Sequence, residues 1–443
     1  MFENIIAQPC TDQLRSDVLS GRLAPSMLFF GPPASGKGSA AIELARALSC
    51  EAAAAPWNCA CPSCARHRSL MHADLAMIGP RGFAAEIAAS RAAFLRDTSS
   101  AAARSLFIRS LRKLLARFSP SVWEYEPKSN KSNPLTLLQS LEEELDEFES
   151  QTAEPLVEIH AVEKRSENLA KNACKLEDEW ISDAIPIGQI RKAAWWSRLS
   201  PAGKRKTLII ENADRMKDEA RNSLLKLLEE PPESISIILT AQRRETVLPT
   251  ILSRLRPYRF VARSAGEERE IIRRIFRDGE AAEYAAAASG LVEAYLNSFL
   301  PQSSEKLLPL AAFFIAAVAR SAAVFAKSRG AANISPALNA LGGYCAPIAE
   351  TAGFERTSEV KETVAALLSR SGNFEGRSFP RFLALALDLV SWSLEQHGPA
   401  VIACREIWKK RIGEAQAACG VWNQRPELAL EALFVRLRED MVS

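Results

Sequence analysis

The stretch MLFFGPPASGKGS, residues 27–39, constrains this chain more than any other part of it. A short apolar run, SMLFF, has the length and composition of a buried strand, and AAIELARALSC further on carries apolar residues at helical spacing. Strand, glycine-rich turn and helix in that order are the setting of a phosphate-binding loop, G-x-x-x-x-G-K-[ST]. In such a loop backbone N–H groups cradle the phosphates, the Lys reaches the β- and γ-phosphates, and the hydroxyl is a ligand of Mg²⁺. Gly31, Gly36 and Lys37 keep the cradle, but Gly38 stands where the hydroxyl residue belongs. Ser39 comes one residue late, which on a helix turns its hydroxyl about 100° away from the site. The residues that remain allow weak ATP binding, while Mg²⁺ lacks its usual protein ligand. The bland alternative is a strand-to-helix turn that holds no ligand.

Strands and helices alternate again downstream. Residues 207–210 form an apolar strand ending in Glu211 and Asn212. Residues 218–230 have the pattern of an amphipathic helix stopped by Pro231 and Pro232, and residues 236–239 are a second apolar strand. This alternation predicts an α/β domain with a parallel sheet covered on both faces and ligand chemistry at the carboxyl ends of its strands. A hydrolytic site of this class ends the second strand in an Asp for the Mg²⁺ shell, followed by a Glu that orients water. Here Glu211 is followed by Asn212, whose amide cannot act as a base. Gly38 and Asn212 are independent departures, and both predict that ATP turnover is lost.

Four of the nine cysteines cluster in LSCEAAAAPWNCACPSCARH, where Cys50, Cys59, Cys61 and Cys64 are spaced C-x₈-C-x-C-x₂-C. Four thiolates within 15 residues suit a tetrahedral structural Zn²⁺ site. Because C-x-C is tighter than the usual C-x₂-C, a site of three thiolates with His67 is an alternative, and four unliganded thiols are the bland reading. A redox pair fits less well, since the cysteines fall in a Pro-containing loop.

The segments NSLLKLLEEPP and TVLPTILSR, together with the order of loop and cysteines, closely resemble the AAA+ clamp-loader subunits of bacterial DNA polymerase III. The resemblance covers residues 1–80 and about 184–260 well. It implies an AAA+ domain over residues 1–261 that carries the zinc loop, a small all-α lid over 262–320 and an all-α oligomerisation collar over 321–443. Within the family, IIENAD resembles the delta-prime subunit, which lacks a working ATP site, while the gamma and tau motor subunits keep the hydroxyl residue and an Asp-Glu pair. The resemblance therefore implies a structural subunit that helps load the sliding clamp onto primer-template DNA, assembled with gamma or tau and delta subunits. A divergent gamma/tau-type motor is the rival reading, and its test is whether an intact homologue accompanies this chain. The family's Ser-Arg-Cys motif stands here as Ser253, Arg254 and Leu255, so Arg254 would be the arginine finger that reaches the neighbouring subunit's ATP. Set against this is a surface Arg paired with a carboxylate. Thr240 matches the polar sensor position, and Glu293 stands where motor subunits carry a sensor Arg.

Residues 82–184 separate the two matching parts and are expected to be a helical insertion that the family does not usually have. AAEIAASRAAFLRDTSSAAARSLFIRSLRKLLARF is expected to be one basic helix, and 135–149 is strongly acidic, so the two should pair with each other in preference to DNA. The net charge of +3 does not announce a nucleic-acid binder. The most apolar run, LLPLAAFFIAAVARSAAVFA, is interrupted by Arg320 and predicts a buried bundle helix in place of a membrane span. The N-terminus lacks a basic n-region, so a cytoplasmic protein without a membrane partner is expected.

Overall fold

The computed structural model describes residues 1–123, 134–151, 159–284, 290–300, 304–330, 335–371, 374, 378–394, 400–420 and 424–442. They form two compact units, Met1–Phe299 and Leu300–Ser443.

The first unit is built on a five-stranded sheet of order β2-β3-β4-β1-β5, with every neighbouring pair parallel. Its strands are β1 (Ser26–Phe30), β2 (Leu75–Ile78), β3 (Lys206–Ile210), β4 (Ile235–Ala241) and β5 (Arg256–Arg259). Strands β3 and β4, KTLII and ISIILTA, are buried along their whole length, as a sheet covered on both faces requires. Successive residues point to opposite faces, so Met27, Phe29, Ile209 and Ile238 enter one core, and Leu28, Ile210, Ile237 and Leu239 enter the other. The first core is closed by α1 (Cys10–Leu19), α2 (Lys37–Ser49) and α3 (Pro62–Arg68). The second is closed by α8 (Ile187–Ser197), α9 (Asp218–Glu229) and α10 (Pro249–Leu252).

Between the neighbours β2 and β3 the chain leaves the sheet through α4 (Ala84–Arg96), α5 (Ala101–Leu115), α6 (Pro134–Gln151) and α7 (Ile159–Trp180) before α8 returns it to β3. They have their own core, in which the rings of Phe94, Phe107 and Phe148 meet. The basic stretch expected as one helix is two. Ser100 caps α5 by accepting a hydrogen bond from the Ala103 N–H at 3.3 Å, and the Asp-Thr-Ser-Ser sequence before it competes for backbone groups and breaks the run. The expected pairing of basic against acidic is present at Arg112, which meets Glu149 and lies 3.5 Å from Asp146. Lys113 and Arg117 turn the other way, toward the carboxyl end of β3.

After the sheet come α11 (Ala265–Ile275), opened by a capping box of Ser264 and Glu267, then α12 (Gly279–Tyr284) and α13 (Leu291–Ser298). The crossover helices touch this group directly. Ala89 and Ala93 of α4 pack with Phe276 and Tyr295, and Arg96 pairs with Asp278.

The second unit contains α14 (Ser304–Ser328), α15 (Pro336–Thr351), α16 (Val360–Ser371), α17 (Ser378–Leu394), α18 (Ala400–Gly420) and α19 (Pro426–Asp440) around Phe314, Phe382, Trp408 and Phe434. Position 320, expected to separate lid from collar, falls inside α14. One helix among the described residues, Lys306–Ser328, is long and apolar enough to cross a membrane, and 72% of its apolar window is buried within the protein.

Candidate functional site

The glycine-rich loop follows β1 at the carboxyl edge of the sheet. A Cβ on Gly31 would collide with the carbonyl of Phe260, and Gly36 has φ +91°, so both glycines are conformational requirements. Lys37 is turned onto its own loop. Its Nζ donates to the Gly31 carbonyl at 2.7 Å, the Pro32 carbonyl at 2.5 Å and the Ser35 hydroxyl at 3.1 Å. Burial pulls its pKa down to about 8, with Asp214 and Glu293 opposing that pull and Arg263 adding to it. Arg263, which sequence reasoning missed, closes the loop from the other side. It donates to the Ile6 carbonyl at 2.9 Å and the Ala34 carbonyl at 2.8 Å, and one guanidinium nitrogen lies 2.9 Å from where a Gly36 Cβ would stand.

Gly38 and Glu211 are brought together. A Cβ at position 38 would lie 2.7 Å from Glu211 Oε1, so the space a Ser or Thr needs is occupied by a carboxylate oxygen. That carboxylate is not free to swing away, because Arg117 pairs with it and Lys113 Nζ stands 3.5 Å from its other oxygen. Burial alone would raise its pKa, yet the charges of Lys113 and Arg117 hold it below the usual carboxylate range. Asn212, at φ +51°, donates its backbone N–H to Thr240 Oγ1 at 3.0 Å. Thr240 is buried and engaged with the backbone, and Ser39 is exposed. Gly38→Ser should therefore destabilise the chain. The helix gains about 0.5–1 kcal/mol when glycine is replaced, but crowding a held carboxylate costs about 1–3 kcal/mol. A raised midpoint in urea unfolding would contradict this.

The cysteine ligand atoms of Cys50, Cys59, Cys61 and Cys64 all lie within 4.8 Å of one another, and the sulfurs of Cys50 and Cys59 are 3.7 Å apart. A tetrahedron with Zn–S of 2.3 Å has edges of about 3.8 Å, so the donor set fits zinc. Cys50 ends α2 and Cys61 caps α3, which places the C-x₂-C pair across a helix start and not in a plain loop. Burial raises Cys64 to about 12 despite Arg46, whose guanidinium donates to its sulfur at 2.9 Å. Against its burial, the amides of Glu51 and Cys64 bring Cys61 down to about 6. His67 is not part of the cluster. Its ring is buried and stacks on His72 with centroids 4.1 Å apart.

Arg254 follows α10 and is bound within its own chain. It donates to Glu229 Oε1 at 2.6 Å, the Thr250 carbonyl at 2.5 Å and Ser253 Oγ at 3.3 Å. Lys113 and Arg117, like Arg263, went unnoticed as site residues. Their only sequence signal was a basic helix that had an acidic partner to hand.

No curated protein matches this chain. Among solved structures, the crystal structure of a DNA polymerase III gamma subunit-related protein from Thermotoga maritima is similar at 22% identity with a TM-score of 0.31, over 58% of this chain and 80% of that one. The family described as DNA polymerase III, delta subunit, matches residues 6–126 and 138–264. The matched spans include parts of the helical crossover on either side of residues 127–137. With more than half of its residues matched and its parallel α/β sheet followed by helices, the chain belongs to the DNA polymerase III, delta subunit, family of clamp-loader-type subunits.

Proposed function

We propose that this chain is a delta-prime-like subunit that does not hydrolyse ATP, assembles with gamma or tau and delta subunits, and presents Arg254 to a neighbour's nucleotide as a sliding clamp is loaded onto primer-template DNA. The observation that carries the reading is the contact between Gly38 and Glu211: the metal's hydroxyl ligand is missing, and the space for one is filled. Lys37 bonded to its own loop and Asn212 in place of a base support the same reading. Gly31, Gly36 and Lys37 would cradle a phosphate, and when bound there a nucleotide would supply only ligand charge and fixed geometry. Cys50, Cys59, Cys61 and Cys64 hold a structural zinc.

Purified full-length chain, with or without clamp and primed DNA, is expected to release no phosphate above background. Turnover near 1 s⁻¹, within the ordinary enzyme range, would refute the reading and make the chain a motor of the gamma type.

A further inference from the structure

We propose that Lys113 and Arg117 of the helical crossover are a protein-borne substitute for a divalent cation, holding Glu211 and Glu86 in a latent metal site that they mask. The inference deepens the non-hydrolysing reading and rests on it for its biological meaning.

The geometry is that of a cation site with its charge supplied by side chains. Lys113 Nζ lies 3.0 Å from Glu86 and 3.5 Å from Glu211, so one ammonium bridges two carboxylates from different parts of the chain. Arg117 engages the second oxygen of Glu211. Two cations meet two carboxylates, which is the charge one divalent ion would bring. The backbone is shaped to admit them: a Cβ at Gly79, just past β2, would lie 3.1 Å from an Arg117 guanidinium nitrogen, and Gly38 leaves room for Glu211. Arg117 is 1% exposed, stacks over Phe83 at 5.3 Å, and its Nε and Nη1 have no hydrogen-bond partner among the described residues. A buried guanidinium so poorly satisfied is costly unless a charge holds it, and Glu211 is the carboxylate in contact with it. A cation placed by the fold needs no ion from solution, so Glu211 is unavailable to Mg²⁺ whether or not a nucleotide is near.

Mn²⁺ is the probe, measured by loss of its free-ion paramagnetic resonance signal on titration into full-length, zinc-loaded protein, alongside thermal unfolding. The unmodified chain should show the same Mn²⁺ binding as Glu211→Gln. Lys113→Gln/Arg117→Gln, which leaves two carboxylates uncompensated, should melt about 10 °C lower. It should also gain one Mn²⁺ site and recover several degrees when Mn²⁺ is added. The triple variant, with Glu211→Gln added, should lose that site and melt within about 3 °C of the unmodified chain, because the buried opposite charges are removed together and the carboxylate left over, Glu86, is 39% exposed to solvent. If the double variant does not fold, Lys113→Gln alone, which frees Glu86 and one oxygen of Glu211, should show a weaker gain of the same site. A Mn²⁺ site in the unmodified chain that Glu211→Gln abolishes overturns the masking. So does a triple variant no more stable than the double, since Glu211 would then not be coupled to the two cations. These outcomes separate from the parent reading: Mn²⁺ at Glu211 without phosphate release sinks the masking alone, whereas phosphate release by a chain that binds no Mn²⁺ there sinks the non-hydrolysing role alone.

Discussion

Purified chain dialysed against a chelator should retain about one equivalent of zinc, and Cys59→Ser should lose most of it and unfold early. The expectation rests on four sulfurs within 4.8 Å of one another and on what they connect. Cys50 closes α2 and Cys61 opens α3, so one ion held by the four would fix the end of one helix, the start of the next and the chain between them. Structural zinc contributes roughly 10–16 kcal/mol of apparent binding energy in small peptides that have no other core. Here Cys50 and Cys64 belong to the same apolar layer as Leu44 and Met77, so part of the loop's order is held by packing, and the loss should be smaller than that. A fall in unfolding midpoint of more than about 5 °C is still expected. Surrounding charge favours the metal-bound form: four thiolates and Zn²⁺ leave a double negative charge, and Arg46 donates to Cys64 while Arg68 donates to the Cys59 carbonyl. Because the thiols must lose protons to bind, affinity should fall as pH falls. Zinc near zero after dialysis, with Cys59→Ser melting like the unmodified chain, would end the metal assignment.

The four-cysteine cluster was legible in sequence because all four thiols lie within 15 residues, and local spacing alone brings them together. The sheet was legible for a similar reason: continuous apolar runs such as KTLII and ISIILTA have few other places to go. What spacing could not show is how the loop is closed. Arg117 reaches Glu211 across 94 positions and Arg263 reaches Ala34 across 229. Nothing in a basic helical pattern distinguishes Arg112, which pairs with the acidic helix, from Lys113 and Arg117, which pair with the sheet. The distinction comes from the faces of α5 that Arg112 and Lys113 occupy and from the 3₁₀ turn Ala116–Phe118 that carries Arg117, and these are set only when α4 to α7 pack on one another. The break between α4 and α5 was within reach of sequence, since four successive Asp, Thr and Ser residues favour a cap over a continuous helix. The apolar periodicity on either side obscured it. In the sequence Asn212 is a missing base. Its left-handed backbone, bonded to Thr240, adds a reason for its identity, since Asn adopts that conformation more readily than most residues.

Arg254→Ala should leave the chain folded and able to join its partner subunits, yet cut the clamp- and DNA-stimulated ATPase of the assembled complex. The competing use of the residue is visible in the chain itself: its guanidinium is bound to Glu229 at 2.6 Å, with the side chain 32% exposed. Magnitudes show that the first use does not exclude the second. A partly exposed ion pair of this kind is worth about 0–1 kcal/mol, whereas a finger supplied in trans contributes on the order of 10³–10⁵ in rate, or roughly 4–7 kcal/mol of transition-state stabilisation. A pair that weak would not hold Arg254 back from a neighbour's nucleotide on assembly. Two further variants sharpen the test. Glu229→Gln releases the guanidinium without removing it and should leave the ATPase of the complex undiminished. Arg254→Lys should rescue poorly, because a point charge cannot reproduce the planar fork that grips two phosphate oxygens. The whole complex loses only the turnover of the site that faces this subunit, so single-turnover measurement is the appropriate readout. If Arg254→Ala assembles normally and the complex hydrolyses ATP and loads clamps at the unmodified rate, Arg254 is the partner of Glu229 and nothing more.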